Sequence, residues 1–218
     1  MKKIIIIGGM GNGTVVLSTI TDINRESPTW EIVGFLNDFE TEPINGYPIV
    51  GKIDFEIAQE FLKDDNVFFI YTLISTKLNH KHLNKLLNLQ IPDERFAIII
   101  HPTAVVSEYA KIGYGVSIQP FVNIGPNVTI ENHVQIYSQS LIGHNSTLEN
   151  YTYIANNACV GASAHLKEGA YLGTNCTTLE NITLGKWSLA GIGSVVIKDV
   201  PEYTKVVGNP SRVIGKVE

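Results

Sequence analysis

A glycine-rich segment near the start of the chain could hold a phosphate group. The run Gly8–Gly13, with sequence GGMGNG, follows four isoleucines and precedes an apolar helical pattern that begins at Thr14. A loop of this kind brings backbone N–H groups and a helix N-terminus close to a phosphate. The glycines do not fit the dinucleotide pattern G-x-G-x-x-G, because Thr14 takes its last position. A classical NAD site is therefore not expected, and a tight turn without a ligand is the alternative.

A second polar element follows the next predicted strand. The apolar segment 31–36 ends in the pair Asn37-Asp38. In parallel α/β domains, polar side chains at the C-terminal end of the second strand commonly meet a ribose or a base. A plain turn explains the pair equally well from sequence alone.

These candidate ligands need a small α/β domain to position them. Apolar runs at 67–71 and 96–100 predict two more strands, and segments 54–62 and 77–89 have helical patterns. Asp54 can cap the first of these two helices, and residues 46–51 are expected to form a loop. The alternation of strands and helices predicts a parallel sheet, which His101-Pro102 separates from the rest of the chain.

From Ala104 to Asp199 the chain repeats every six residues without a break. The third position of each hexad is Val, Ile or Leu in fourteen of sixteen hexads, and the fourth position is often Gly. A period of six fits neither a helix nor an ordinary amphipathic strand. It predicts a solenoid of short strands joined by tight corners, in which one aliphatic side chain per hexad points inward.

Composition limits the possible partners. The 218 residues carry a net charge of −5, which argues against a general nucleic-acid surface. No long apolar run predicts a membrane span. Cys159 and Cys176 are the two cysteines, and without a signal peptide they are expected to be reduced packing residues in a cytoplasmic protein.

The hexads, together with GGMGNG at the start, FLNDF at the second strand, GYPIVG after it, HPTA at the junction and the tail VVGNPSRVI, resemble one family. This is the hexapeptide-repeat sugar acyltransferases of the sialic-acid O-acetyltransferase and bacillosamine-pathway nucleotide-sugar N-acetyltransferase type. The resemblance implies a Rossmann-like nucleotide-sugar-binding domain at 1–101. At 102–218 it implies a left-handed parallel β-helix that binds acyl-CoA.

The resemblance also implies an activity and an assembly. The expected reaction is transfer of an acetyl group from acetyl-CoA to an amino or hydroxyl group of a nucleotide-linked or sialic-type sugar, for surface-glycan synthesis. The nucleotide sugar is expected at Gly11, Asn12, Gly13, Asn37 and Asp38. A homotrimer is expected, with acetyl-CoA between neighbouring solenoids.

His144 corresponds to the general base of the family. The residue that follows it is usually acidic in the family, and here it is Asn145. An amide can fix a tautomer of the ring but cannot stabilise an imidazolium as a carboxylate does. Three explanations stay open: His144 is a weaker base, Glu149 or Glu131 supplies a carboxylate from elsewhere, or the protein is slow or inactive.

The expected acetyl-CoA site consists mostly of backbone. Residues eighteen apart lie above one another in a coil of three hexads, so His144 should stack near Ala162 and Glu180. In the family, the N–H at the position of Ala162 polarises the thioester, and backbone near Thr174 and Ile192 holds the pantetheine arm. Tyr153 takes the position of a second family histidine, near the acyl group.

Two other functions stay open at this stage. A protein that kept the fold without catalysis would bind nucleotide sugar without CoA turnover, and fold alone does not exclude this. Some trimeric solenoids of this type resemble carbonic anhydrases with three histidines on zinc. His133, His144 and His165 are available, but their spacings of 11 and 21 residues do not fit one stack, and no metal is expected.

Overall fold

The computed structural model describes residues 1–74 and 79–217. The chain divides into two compact units, Met1–Pro102 and Thr103–Glu218. Among the described residues, no helix is long and apolar enough to cross a membrane.

The first unit is a parallel sheet with helices. Its elements are β1 (Lys2–Ile7), α1 (Asn12–Glu26), β2 (Trp30–Leu36), β3 (Ile49–Gly51), α2 (Phe55–Leu62), β4 (Val67–Tyr71), α3 (Asn79–Asn88), a 3-10 helix (Asp93–Arg95) and β5 (Ile99–Ile100). The four strands of the sheet lie in the order β3-β2-β1-β4 and all pair in parallel. The predicted α/β class of this unit is confirmed.

Burial explains why the isoleucine run forms the central strand. Side chains 4–7 are fully buried, with neighbouring strands on both edges of β1. Asp54 caps α2 by accepting a hydrogen bond from the backbone N–H of Glu56 at 2.9 Å. The segment expected to be a loop at 46–51 contains β3, because Ile49 and Gly51 pair with β2. Residues 77 and 78 of the expected helix 77–89 lie outside the described residues.

The second unit is a parallel β-helix with one two-residue strand per hexad. The strands are β6 (Val105–Val106), β7 (Lys111–Ile112), β8 (Ser117–Ile118), β9 (Asn123–Ile124), β10 (Thr129–Ile130), β11 (Gln135–Ile136), β12 (Leu141–Ile142), β13 (Thr147–Leu148), β14 (Tyr153–Ile154), β15 (Cys159–Val160), β16 (His165–Leu166), β17 (Tyr171–Leu172), β18 (Thr177–Thr178), β19 (Thr183–Leu184), β20 (Leu189–Ala190) and β21 (Val195–Val196). They form three faces. The first face holds β6, β9, β12, β15, β18 and β21, the second holds β7, β10, β13, β16 and β19, and the third includes β8, β11, β14, β17 and β20.

The aliphatic third positions form the core of the solenoid. Ile118, Ile136, Leu148, Ile154 and Leu172 are fully buried, as their period of six predicts. Each buried side chain of this size contributes about 1.5–3 kcal/mol. Two further strands, β22 (Thr204–Val207) and β23 (Arg212–Lys216), extend the third face. The predicted fold class is confirmed.

The corners between faces depend on left-handed backbone. The sixth position of every hexad from 115 to 193 has φ between +53° and +68°; these residues are Gly115, Phe121, Asn127, His133, Gln139, Asn145, Tyr151, Asn157, Ser163, Gly169, Asn175, Asn181, Trp187 and Gly193. Glycine and asparagine adopt this conformation most readily, and together they fill eight of these fourteen positions. We name the three corners by a residue in each: the His144 corner joins the first and second faces, the Trp187 corner the second and third, and the Thr174 corner the third and first.

Candidate active site

The His144 corner presents an imidazole to the surface. His144 and Asn145 are the two turn residues between β12 and β13, and both are exposed. The Asn145 side-chain amide donates from Nδ2 to Nδ1 of His144 at 3.0 Å. The other ring nitrogen, Nε2, is therefore the one left for a ligand.

The corner backbone explains why Asn145 follows the histidine. Its φ is +59°, in the left-handed region that asparagine tolerates best among residues other than glycine. Asn127, one coil earlier, occupies the same conformation and donates from Nδ2 to Oδ1 of Asn145 at 3.1 Å. Asparagine thus suits the backbone at position 145, and its amide also contacts His144.

The two glutamates considered as partners of His144 bind other groups. Glu149 Oε1 lies 2.6 Å from Nε2 of His165, and its second oxygen accepts the backbone N–H of Glu168 at 2.9 Å. Glu131 accepts the backbone N–H of Asn150 at 3.1 Å. The suggestion that either supplies the missing carboxylate is therefore wrong in this structure, because both belong to the second face and the Trp187 corner.

His144 stacks on backbone in the way an eighteen-residue repeat requires. The N–H of Ser163 donates to the carbonyl of His144 at 2.8 Å, and the N–H of Asn181 donates to the carbonyl of Ala162 at 2.9 Å. A Cβ at Gly143 would lie 2.6 Å from the backbone nitrogen of Ala162. Glycine at this position therefore lets His144 and Ala162 lie in successive coils of one corner.

The Thr174 corner is a different edge of the solenoid from the His144 corner. The N–H of Gly193 donates to the carbonyl of Thr174 at 2.9 Å, which stacks Thr174 and Ile192 in successive coils. The Ile192 side chain is 78% exposed. Within one chain, the first face separates this corner from His144, so the two halves of the expected acetyl-CoA site lie on different corners.

Tyr153 lies on the third face in a column of tyrosines. Its ring stacks on Tyr171 with centroids 4.6 Å apart and lies 4.8 Å from the ring of Tyr137. Burial raises the pKa of Tyr153, and it raises the pKa of Tyr171 to about 12. Both phenols are therefore neutral hydrogen-bond donors near neutral pH. Tyr153 and His144 belong to different elements of the coil, and no contact between them supports a joint role.

The glycine-rich loop of the first unit lines a cavity. Gly11, Asn12 and Gly13 contribute to a cavity of about 250 Å³, together with Thr72 and His82. Asn12 begins α1 and donates from Nδ2 to the carbonyls of Thr72 and Ile74, at 3.3 and 3.2 Å. Nothing in the sequence points to His82 as part of this cavity, and burial lowers the pKa of its imidazole.

Asn37 and Asp38 shape this edge of the sheet. Asn37 is buried; its Nδ2 donates to the carbonyl of Gly8 at 2.9 Å and its Oδ1 accepts the N–H groups of Phe39 and Glu40, both at 2.7 Å. These bonds anchor the loop and leave the amide little capacity for a ligand. Asp38 accepts the N–H of Ile53 at 2.9 Å and pairs with Lys85. Burial raises the pKa of Asp38, but the hydrogen bonds from Lys85 and Ile53 outweigh it, so the net shift is downward.

The other histidines and the cysteines among the described residues do not form a second candidate site. Within residues 1–74 and 79–217, no cluster of three His, Cys, Asp or Glu side chains could hold a metal ion. His133, His144 and His165 lie at the Trp187 corner, at the His144 corner and on the second face. Cys176 is buried, and burial raises the pKa of its thiol to about 12, so it packs as a thiol.

Two family models match the chain. Residues 3–73 match the PglD N-terminal domain, and residues 96–200 match the GMPPB C-terminal domain. The first match covers the sheet and glycine-rich loop of the first unit, and the second covers all sixteen hexads.

Solved structures share the fold of the whole chain. The acetyltransferase domain of PglB from Neisseria gonorrhoeae FA1090 has a TM-score of 0.86 at 23% identity, and the alignment covers 98% of this chain and 100% of that one. The same domain in complex with acetyl coenzyme A has a TM-score of 0.69 at 22% identity, with 98% and 99% covered. A mutant of GDP-perosamine N-acetyltransferase from Caulobacter crescentus, in complex with CoA and GDP-perosamine, has a TM-score of 0.69 at 21% identity, with 99% and 98% covered.

Curated relatives match only a short part of the chain. A Staphylococcus aureus (strain COL) protein named as an acetyltransferase is 45% identical over 40 residues, which is 18% of this chain and 20% of that protein. A serine acetyltransferase from Bacillus pumilus (strain SAFR-032) is 56% identical over 36 residues, or 16% and 17% of the two chains. The chain thus spans about a fifth of the length of these relatives. The match to the PglD N-terminal domain and the fold shared with the PglB acetyltransferase domain agree with the family resemblance noted in the sequence.

Proposed function

We propose that the chain is an acetyltransferase that uses acetyl-CoA to acetylate an amino group of a nucleotide-linked sugar. The observation that carries this proposal is the His144 corner: an exposed imidazole lies one coil from the backbone of Ala162. The corner belongs to a fold shared along 98% of the chain with the PglB acetyltransferase domain, which binds acetyl coenzyme A.

The chemistry needs a base and a donor for the developing oxyanion. In the tautomer that carries its proton on Nδ1, Nε2 of His144 takes a proton from the acceptor nitrogen as that nitrogen attacks the carbonyl carbon of the thioester. The N–H of Ala162, which has no acceptor among the described residues, would donate to the oxyanion. The C–S bond then breaks, the amide forms, and the CoA thiolate takes the proton back from the imidazolium.

An amine acceptor suits the Asn145 amide better than a hydroxyl does. An amine is the stronger nucleophile and needs less help from a base. A hydrogen bond between neutral groups contributes about 1 kcal/mol, against about 1.5–3 kcal/mol for one that involves a charge. The imidazolium at His144 is therefore less stabilised than it would be beside a carboxylate.

The first unit would hold the nucleotide part of the acceptor. Its cavity of about 250 Å³ includes Gly11, Asn12 and Gly13 at the start of α1. The loop glycines allow close approach of a diphosphate, and the helix N-terminus favours negative charge. Asn37 and Asp38 would act by shaping this loop, since their side chains already bind Gly8, Ile53 and Lys85.

A homotrimer would complete the acetyl-CoA site. The first face carries exposed apolar side chains, Val105, Leu141, Leu179 and Ile197. The second face carries threonines and charged residues at matching positions. A copy packed on the first face would bury the apolar side chains and bring its Thr174 and Ile192 towards His144.

Reduced Cys159 and Cys176 agree with a cytoplasmic protein.

An acceptor panel tests the function. Purified protein would be incubated with acetyl-CoA and a set of amino and hydroxyl nucleotide sugars and sialic acid, with thiol release and product mass as readouts. We expect thiol release with an amino sugar nucleotide and a product heavier by one acetyl group. Acetylation of a hydroxyl alone would correct the acceptor class, and binding of acetyl-CoA or nucleotide sugar without turnover of any acceptor would favour the non-catalytic alternative.

Subunit mixing tests the shared site. His144→Ala and Ile192→Asp proteins would be denatured together, refolded together and assayed. If sites lie between copies, mixed trimers contain some sites with both native residues, and activity returns to above the sum of the two separate variants. Activity equal to that sum, in material that forms mixed trimers, would contradict a shared site.

A further inference from the structure

A chain of two side-chain amides ends on the ring of His144. Asn127 donates to Oδ1 of Asn145 at 3.1 Å, and Asn145 donates from Nδ2 to Nδ1 of His144 at 3.0 Å. The left-handed backbone at Asn127 and Asn145, with φ of +57° and +59°, fixes the two amides one above the other in successive coils. The orientation of one amide therefore determines the orientation of the other.

The orientation of these two amides decides which ring nitrogen of His144 carries the proton. An amide NH₂ can only donate, so Nδ1 of His144 accepts with its lone pair. The neutral ring then carries its proton on Nε2, where a general base needs a lone pair. If both amides turn by 180°, Asn127 accepts from Asn145 and Asn145 accepts from Nδ1–H. Nε2 is then free to take a proton.

We propose that Asn127 is a positioning residue that acts through Asn145 to select the tautomer of His144. The pair forms a two-state device: one sense makes Nε2 a hydrogen-bond donor and the other makes it a base. A carboxylate at position 145 could only accept, so it would hold the ring in the second state. The inference rests on the proposed function for its catalytic consequence, but the tautomer itself is a property of the folded protein.

The substitution Asn127→Asp separates the two states. A carboxylate at position 127 accepts and does not donate, so the Asn145 NH₂ turns towards it and Oδ1 turns towards His144. Aspartate also tolerates left-handed backbone, and position 127 is exposed, so the fold should survive. Asn127→Gly keeps the backbone conformation and removes the amide, which should leave both tautomers populated.

The Thr174 corner offers a matched control. Asn157 donates from Nδ2 to Oδ1 of Asn175 at 2.6 Å, again between left-handed residues one coil apart. The residues before them, Asn156 and Thr174, are not histidines. Asn157→Asp therefore makes the same chemical change in the same kind of ladder without a ring to re-orient.

Nitrogen-15 NMR of the histidine rings tests the proposal directly. Two-bond couplings distinguish protonated from bare ring nitrogens, and the spectra would be taken at alkaline pH, where the imidazoles are neutral. The His144 signals would be assigned with His144→Gln. We expect Nε2–H in the wild type, Nδ1–H in Asn127→Asp, a mixture in Asn127→Gly, and the wild-type tautomer in Asn157→Asp. The same tautomer in wild type and Asn127→Asp would overturn the proposal.

Kinetics would then connect the tautomer to catalysis. With the acceptor that the panel identifies, Asn127→Asp should raise kcat by up to about tenfold and leave KM for acetyl-CoA within about twofold, because a tautomer preference is of the size of one hydrogen bond. A tautomer change with unchanged kcat would overturn the catalytic part. Absence of turnover in every variant, with the expected tautomers, would count against the proposed function. It would still support the role of Asn127 in selecting the tautomer of His144.

Discussion

Polar side chains have different hydrogen-bond partners at the corners and on the flat faces of the solenoid. His144, at a corner, is bound by a neighbouring amide whose backbone is left-handed. His165, on the second face, pairs with Glu149 across the sheet, where their side chains are 44% and 30% exposed. By partner chemistry alone, His165 is the better supported base. The surroundings favour His144 instead, because the backbone N–H of Ala162 and the exposed apolar side chains of the first face lie beside it.

This difference shows that a histidine–carboxylate pair does not by itself define an active site. The pair on the second face lies among threonines and charged residues, which is typical of a solvated surface. The corner brings a ring and backbone together, because each corner residue stacks on its counterpart one coil away. If the corners constrain their side chains more strictly than the faces do, substitutions at corners should change stability more than substitutions on faces.

The largest effect on stability is expected at a third histidine, His133 in the Trp187 corner. It is buried and stacks on Tyr151, and burial lowers its pKa to about 4. The unfolded chain has a pKa near 6.5 at this residue, so it binds a proton that the folded chain excludes as the pH falls from about 6.5 to about 4. The free energy of unfolding should therefore fall by about 3 kcal/mol across that window.

Denaturant unfolding at several pH values would measure this effect. His133→Asn cannot titrate and tolerates left-handed backbone, so it should flatten the acid side of the stability curve. The matched face variant, His165→Asn, should retain the slope. Equal slopes in the wild type and His133→Asn would mean that the buried corner histidine does not resist protonation.

A smaller effect separates two corner glycines with the same φ of +67°. A Cβ at Gly169 would lie 2.1 Å from Cε3 of Trp187, whereas nothing lies within 4 Å of a Cβ at Gly193. Gly193→Ala should lose about 1 kcal/mol from backbone strain alone. Gly169→Ala adds overpacking and should lose about 2–4 kcal/mol. Thermal unfolding would show the order, and equal losses would mean that the ring column does not constrain this corner.

The smallest effect is expected on the flat face. Glu149→Gln removes the charge opposite His165 but keeps an oxygen that can accept the N–H of Glu168. Exposed ion pairs contribute about 0.2–1 kcal/mol, so the free energy of unfolding should change by less than about 1 kcal/mol. A loss comparable to that of Gly169→Ala would show that faces are as demanding as corners.

Much of the fold follows from the sequence because the hexad reports burial directly. Thirteen of the sixteen third-position side chains in hexads 104–199 belong to the aliphatic set found in the core, and even Thr178 is buried. The sequence does not predict β3, because its three residues are only partly buried and pair at the sheet edge. A signal in the sixth hexad position, rich in Asn and Gly, was available and would have located the left-handed corners.

The site was less predictable, since it depends on which groups meet. Sequence spacing stacks His144 with Ala162, but it cannot show that Glu149 pairs with His165. Nor does it show that Asn37 uses its amide to anchor Gly8. Asn145 looked like a lost catalytic acid in the sequence. In the structure it is one of five corner asparagines with left-handed backbone, so its identity also serves the fold.

The most direct test of the account compares kcat/KM for His144→Ala and His165→Ala, with acetyl-CoA and the accepted sugar nucleotide. Loss of a general base typically lowers the rate by about 10²–10⁴-fold. We predict a loss in that range for His144→Ala and a change within about twofold for His165→Ala. Activity that survives His144→Ala, or that disappears in His165→Ala, would contradict the assignment of the corner histidine as the base.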